Sequence, residues 1–273
     1  MKEKEGELMI EVYQKENVVC VEGTIESFSR KVYVYLVDGM LVDTGPEKLQ
    51  GELIRFYEEY PVELVALTHS HEDHTGTAAW IQEHLNIQIY LQSQSIRLCE
   101  QTGDYPEYRQ QTWGGRKAFQ ALPLPETIRS RSQEWTVIST PGHADDHVSF
   151  LNEKTGQLFS GDLFVAPKTK VIMDSESIPL IMDSLRKLLQ YDFDSLFCSH
   201  SGYFENGREM IEKKLHNLEN LTLKVRSLSE DGLSVDEIKQ KIFPLNYPII
   251  GFSDNQWDSR HIVRSILEGQ PSN

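Results

Sequence analysis

Six of the nine histidines fall in three short segments, and each segment also carries a glycine. The densest is Thr68-His69-Ser70-His71-Glu72-Asp73-His74-Thr75-Gly76, directly after the apolar run Val62 to Leu67. In an extended chain, side chains two apart point the same way, so His69 and His71 face one point. A helical turn starting at Asp73 would aim Asp73 and His74 at a second point nearby. Imidazole nitrogens and carboxylate oxygens suit zinc, which takes such donors at roughly 2.0–2.2 Å. A polar helix cap would explain one of these residues, not three histidines and an aspartate in six positions.

The second segment, Thr140-Pro141-Gly142-His143-Ala144-Asp145-Asp146-His147, follows a strand-like run, and its Pro-Gly turn can return His143 to the strand end as a third donor for the first cation. His147 reads as a support for the ligands or a packing residue. Phe159-Ser160-Gly161-Asp162 has no histidine but again ends an apolar run in glycine and a carboxylate. An aspartate oxygen on each of two cations would hold them roughly 3.5–4 Å apart. The third histidine segment is Phe197-Cys198-Ser199-His200-Ser201-Gly202, in which Cys198 reads as a small buried residue.

The elements that must position these groups follow from periodicity. Leu8 to Tyr13, Val18 to Val21 and Lys31 to Val37 read as strands, and Asp38-Gly39 as the hairpin turn before Met40 to Val42. A helix over Pro46 to Tyr60 and a buried strand over Val62 to Leu67 begin a strand-helix-strand order. Another helix is expected from Thr75 to Leu85 and a strand at Ile87 to Leu91. Gln101 to Arg116, with Trp113-Gly114-Gly115-Arg116, has no period and reads as an insertion or substrate lid. Strands are expected at Thr136 to Ser139, Val148 to Leu151, Gln157 to Ser160 and Ser195 to Cys198, with a helix at Ser177 to Gln190. Beyond residue 204 the pattern is helical, with a capping box at Ser234 and Glu237 and an N-cap at Asp258. Two blocks are expected, a mixed α/β body over 1–204 and a helical tail over 205–273.

The chain of 273 residues carries 27 Lys+Arg against 42 Asp+Glu, a formal charge of −15. Residues 205–273 hold 9 Lys+Arg and 11 Asp+Glu, so the excess sits in the body. Such a balance disfavours a nucleic-acid groove, which needs a basic face. Three cysteines without CxxC spacing exclude a disulfide scaffold, and no run approaches the roughly 18 apolar residues of a membrane span. A soluble, cytoplasmic protein without a membrane partner is expected.

The order His69-x-His71-x-Asp73-His74, then His143, Asp162 and His200, resembles the metallo-β-lactamase fold superfamily, including its glyoxalase II-like and lactonase-like hydrolases. Val42-Asp43-Thr44-Gly45 is similar to that family's first motif, whose aspartate supports the metal site from behind the ligands. The resemblance covers roughly residues 8 to 204. It implies an α/β fold, an αβ/βα sandwich, here with a C-terminal helical extension. It also implies one metal on His69, His71 and His143, a second on Asp73, His74 and His200, and Asp162 bridging them. The implied cofactor is a pair of divalent ions, zinc by ligand type, with iron or manganese as alternatives.

The expected activity is hydrolysis of a small ester-like molecule, thioester or lactone, by a hydroxide bridging the two ions, with Asp73 as proton carrier as well as ligand. Phe164, Lys168 and Lys170, shortly after Asp162, are candidate pocket residues; the lysines resemble those by which glyoxalase II-like enzymes hold glutathione carboxylates. Trp257 and Tyr247 are candidate wall residues from the tail. The tail also resembles the start of a winged-helix unit, which makes a metal-dependent ribonuclease the first alternative. A mononuclear iron oxygenase on the same scaffold is the second.

Overall fold

The computed structural model describes residues 8–25 and 30–269. Its first sheet runs in the spatial order β1 (Leu8–Lys15), β2 (Val18–Ile25), β3 (Arg30–Val37), β4 (Met40–Val42), β5 (Leu64–Ala66), β6 (Gln88–Leu91) and β7 (Leu122–Pro123). As far as β4 the strands are antiparallel. The β3–β4 turn is the Asp38-Gly39 pair, with φ of 49° and 84°, the left-handed geometry that a two-residue hairpin needs. From β4 onward pairing is parallel, because helices return the chain across one face. Those helices are α1 (Gln50–Glu59), the single turn α2 (Glu72–Thr75), α3 (Ala78–Leu85), α4 (Ser93–Cys99) and α5 (Glu107–Trp113).

The second sheet holds β8 (Thr127–Arg129), β9 (Glu134–Ser139), β10 (Val148–Asn152), β11 (Gln157–Gly161), β13 (Ser195–Cys198) and β14 (Gly202–Phe204). Only β11 and β13 pair in parallel there, with α6 (Ile178–Leu188) in the connection between them. In that connection β12 (Ile172–Met173) stands apart and pairs with β15 (Trp257–Asp258) near the C-terminus.

Three apolar clusters make the layers. Tyr35, Val42, Trp135, Phe150, Phe159 and Phe197 meet between the two sheets. Val32, Val34, Leu53, Phe56, Val65 and Ile81 join the outer face of the first sheet to its helices. Leu158, Leu185, Leu196, Ile211, Ile238 and Ile262 join the outer face of the second sheet to α6 and to the tail. Helix, sheet, sheet, helix is the αβ/βα sandwich expected from the resemblance.

The tail forms α7 (Gly207–Glu230), α8 (Val235–Ile242), α9 (Pro248–Phe252) and α10 (Ser259–Glu268). Ser234 and Glu237 form the expected capping box, and Asp258 caps α10 by accepting from Arg260 N. Body and tail share the third cluster rather than each having its own, and β15 pairs with the body's β12. Among the described residues no helix is long and apolar enough to cross a membrane.

Candidate metal centre

The five segments singled out in the sequence lie at one edge of the sandwich, each just past the C-terminal end of a strand: Asp43 after β4, His69 to His74 after β5, His143 after β9, Asp162 after β11 and His200 after β13. Two glycines make the returns possible. Gly142 has φ 131°, and a Cβ there would lie 2.5 Å from Ile181 N. Gly161 has φ 50°, and a Cβ would lie 2.5 Å from His147 Nε2 and 3.0 Å from Thr68 Cβ. Side chains at either site would push the following ligand off its position.

Two groups of donors result. His69 Nε2 lies 3.0 Å from His71 Nδ1, which lies 3.1 Å from His143 Nε2, so three imidazole nitrogens converge. Asp73, His74, Asp162 and His200 form the second group, and each group has the size and donor types to hold a metal ion. Asp73 Oδ2 is 3.2 Å from His200 Nε2 and 3.7 Å from His74 Nε2. Asp162 Oδ2 lies 3.4 Å from His143 Nε2, 3.5 Å from His74 Nε2 and 3.1 Å from His200 Nε2. One carboxylate oxygen therefore faces both groups.

A second layer of hydrogen bonds turns His74, His200 and His143. Asp43, held in the left-handed region at φ 61°, accepts from Thr68 N at 2.8 Å and contacts His74 Nδ1 at 2.7 Å. A carboxylate can only accept, so His74 keeps a proton on Nδ1, and Nε2 is the nitrogen left for a cation. By the same logic the Lys31 carbonyl, 2.7 Å from His200 Nδ1, leaves His200 Nε2 facing Asp73 and Asp162. Glu176 does this for His143, contacting its Nδ1 at 3.2 Å. His147 is not a donor to either group. Its Nε2 accepts from Asp162 N at 3.0 Å and its Nδ1 faces Thr140 Oγ1 at 2.9 Å, so it fixes the backbone that carries the carboxylate.

Electrostatics divides the centre. Burial, followed by the neighbouring imidazoles, pulls His69 and His71 well below the usual histidine range. Burial opposes charge on His74 and His200 as well, but the carboxylates, Asp162 first, outweigh it and raise both well above that range. Burial works against the Asp73 and Asp162 charges, and the histidines beside them hold both carboxyls far below their ordinary values. His147 is brought down to about 3, mainly by burial.

Two atoms in this constellation are buried without a hydrogen-bond partner among the described residues, His74 Nε2 and Asp162 Oδ1. An imidazole nitrogen and a carboxylate oxygen left unpaired in a protein interior are costly, and a cation would satisfy both. The residues present thus fit divalent metal.

Other sequence candidates fall elsewhere. Phe164 is fully buried, its ring against Phe204 in the core beneath the centre rather than on a pocket surface. Lys168 and Lys170 are exposed, and the Lys170 ammonium lies 6.0 Å over the Tyr247 ring, toward the tail. Trp257 is in β15, paired with Met173. Cys198 is buried, as are Cys20 and Cys99, all three free.

The segment Gln101 to Arg116 is an anchored wall. Arg109 on α5 donates two hydrogen bonds to the Glu72 carboxylate, at 2.6 and 2.5 Å, and Gly115 N donates to Glu47 at 2.6 Å. Trp113 ends 5.8 Å from the His200 ring. Sequence reasoning misses Glu72, Glu176 and Arg109 as supports. Glu72 lies inside the histidine motif, which was a usable signal, whereas Glu176 and Arg109 belong to no motif.

A family model described as "Metallo-beta-lactamase superfamily" matches residues 30–200. The chain is 25% identical over 276 residues to the probable metallo-hydrolase YqjP of Bacillus subtilis (strain 168), covering 85% of this chain and 86% of that protein. It is also 25% identical to a hydroxyacylglutathione hydrolase of Chelativorans sp. (strain BNC1), over 70% and 69% of the two chains. A crystal structure of a β-lactamase domain protein from Burkholderia ambifaria has the same fold, with TM-score 0.73 and 17% identity over 94% of this chain and 88% of that one. With its sandwich and its donors at one sheet edge, the chain belongs to the metallo-β-lactamase superfamily.

Proposed function

We propose that this metal-dependent hydrolase opens a small thioester or lactone at a pair of divalent cations, zinc by preference. His69, His71 and His143 would hold one ion, Asp73, His74 and His200 the other, with Asp162 shared. The observation that carries the reading is Asp162 Oδ2, within 3.5 Å of nitrogens from both groups. When bound, the cations supply an acidified water as nucleophile and polarise the scissile carbonyl.

The chain's own residues do the rest. Asp43, Glu176 and the Lys31 carbonyl hold imidazole protons on the outer nitrogens, so the inner ones stay available. Asp73 is the proposed carrier of a proton to the leaving group. The half-buried Trp113 on the anchored α5 covers one side of the cleft beside His200.

The likeness to a hydroxyacylglutathione hydrolase supports the thioester arm. A complete second group of donors favours two ions over a mononuclear oxygenase. The acidic balance disfavours the ribonuclease reading.

Elemental analysis after zinc reconstitution, with a panel of thioesters and lactones, tests this. Two equivalents and turnover that His71→Ala abolishes are expected. Fewer than two equivalents together with no turnover across the panel would overturn it.

A further inference from the structure

The cationic side chains around the second group of donors are mostly committed. Arg109 is locked onto Glu72, Lys31 pairs with Glu22, and Lys48 reaches the Gln111 carbonyl. The Arg30 side chain makes no ion pair or hydrogen bond among the described residues.

Its place is set by the strand it opens. The Lys31 carbonyl contacts His200 Nδ1 at 2.7 Å, and Tyr33 N donates to Ser199 O at 2.7 Å, so the start of β3 is fastened to the segment that carries His200. Lys31 and Tyr33 both turn toward Glu22. By alternation Arg30 belongs to the opposite face, with Val32 and Val34. That face is part of the cluster against which Trp113 packs, and the Trp113 ring lies 5.8 Å from His200. Arg30 therefore lies on the side of the first sheet where Trp113 packs, and the strand start that carries Arg30 and the Trp113 ring both approach His200.

Neighbouring atoms disfavour the Arg30 charge by desolvation, and Asp73 is the acidic group that favours it. A cation bound by Asp73 would draw on that same carboxylate charge and leave the guanidinium without a counter-ion. A planar guanidinium takes a carboxylate through two parallel bonds, and an indole face takes the apolar part of the same molecule.

We propose that Arg30 and Trp113 form a subsite for an anionic group of the substrate, a carboxylate carried a few carbon atoms from the scissile bond. The proposal deepens the hydrolase reading and rests on it for the position of that bond. It makes the substrate an acidic thioester or lactone rather than a neutral one, and it assigns anion recognition to Arg30, itself an exposed side chain.

The test uses zinc-reconstituted full-length protein. The first readout is the ratio of kcat/KM for S-phenyl monothiosuccinate over S-phenyl thioacetate. Arg30→Gln is expected to lower that ratio about ten- to a hundredfold, the worth of a charge-assisted bond, and to do so through KM. Arg30→Lys should recover part of it, and Arg129→Gln, a distant surface change, should leave it as in the wild type. The second readout is calorimetric binding of benzylsuccinate and of 3-phenylpropionate. Arg30→Gln should weaken the dianion selectively. A hydrolytic ratio that Arg30→Gln leaves unchanged, or equal weakening of both acids, would overturn the subsite. Selective loss of benzylsuccinate binding with no thioester turned over would support the subsite and count against the hydrolase reading alone.

Discussion

His69 and His74 sit five positions apart on the same motif and receive opposite properties from their surroundings. His69 is crowded by imidazoles and stays neutral, whereas His74 is ringed by Asp162, Asp73 and Asp43 and holds a proton above its ordinary pKa of 6.5. Metal and proton compete for the same nitrogen. In the metal-free protein the carboxylates thus favour a second proton on His74 and His200, at the inner nitrogens that zinc would take, and zinc must displace it. Titration calorimetry at pH 7 in buffers of different ionisation enthalpy should show net proton release, with affinity rising as pH rises through the raised folded values. Buffer-independent enthalpy would contradict this. The seven donors are legible in the sequence because a ligand must be histidine or carboxylate and must follow a strand. Their supports are not, because Glu176 reaches His143 across 33 residues and any acceptor could have served there.

At the scale of elements, α5 shows why an aperiodic stretch resists reading. Its seven residues have no continuous apolar face, and it is held by tertiary contacts, among them a buried ion pair to Glu72, a residue with no exposed surface. Burial raises the Glu72 carboxyl pKa, with Arg109 opposing, so the carboxylate depends on that guanidinium. Arg109→Ala should cost about 3–5 kcal/mol in denaturant unfolding, since it strands a buried charge. The double change Glu72→Gln with Arg109→Met should recover much of that. A single-variant loss below about 1 kcal/mol, the scale of an exposed pair, would show that the clamp is solvated in solution. Long periodic elements such as α7 and the capped α8 and α10 lie close to where spacing and caps put them. Two-residue strands such as β7, β12 and β15 leave no pattern at all, being created by their partners.

For the whole molecule, the helical tail is part of the body's core. Ile211, Leu218, Val225, Ile238, Ile262 and Ile266 pack in the same cluster as Leu185 and Leu196. At roughly 1.5–3 kcal/mol for each buried aliphatic side chain, losing these six would remove about 9–18 kcal/mol, as much as a whole domain's stability of about 5–15 kcal/mol. A fragment ending at Phe204 should lack near-ultraviolet circular dichroism and bind hydrophobic dyes, whereas a cooperatively unfolding fragment would show that the body stands alone.

The two-stranded pairing of β12 with β15 carries a consequence for the order of events during synthesis. Met173 N donates to Glu176 Oε1, Glu176 orients His143, and Met173 is itself aligned by Trp257, which follows the last of the seven donors, His200, in the sequence. Two residues do not hold as a strand without a partner. A nascent chain still held in the ribosome thus has all seven donors outside the tunnel before the ribbon that steadies His143 exists. The support of His143 is completed after all seven donors have emerged, so firm metal binding waits for the segment around Trp257.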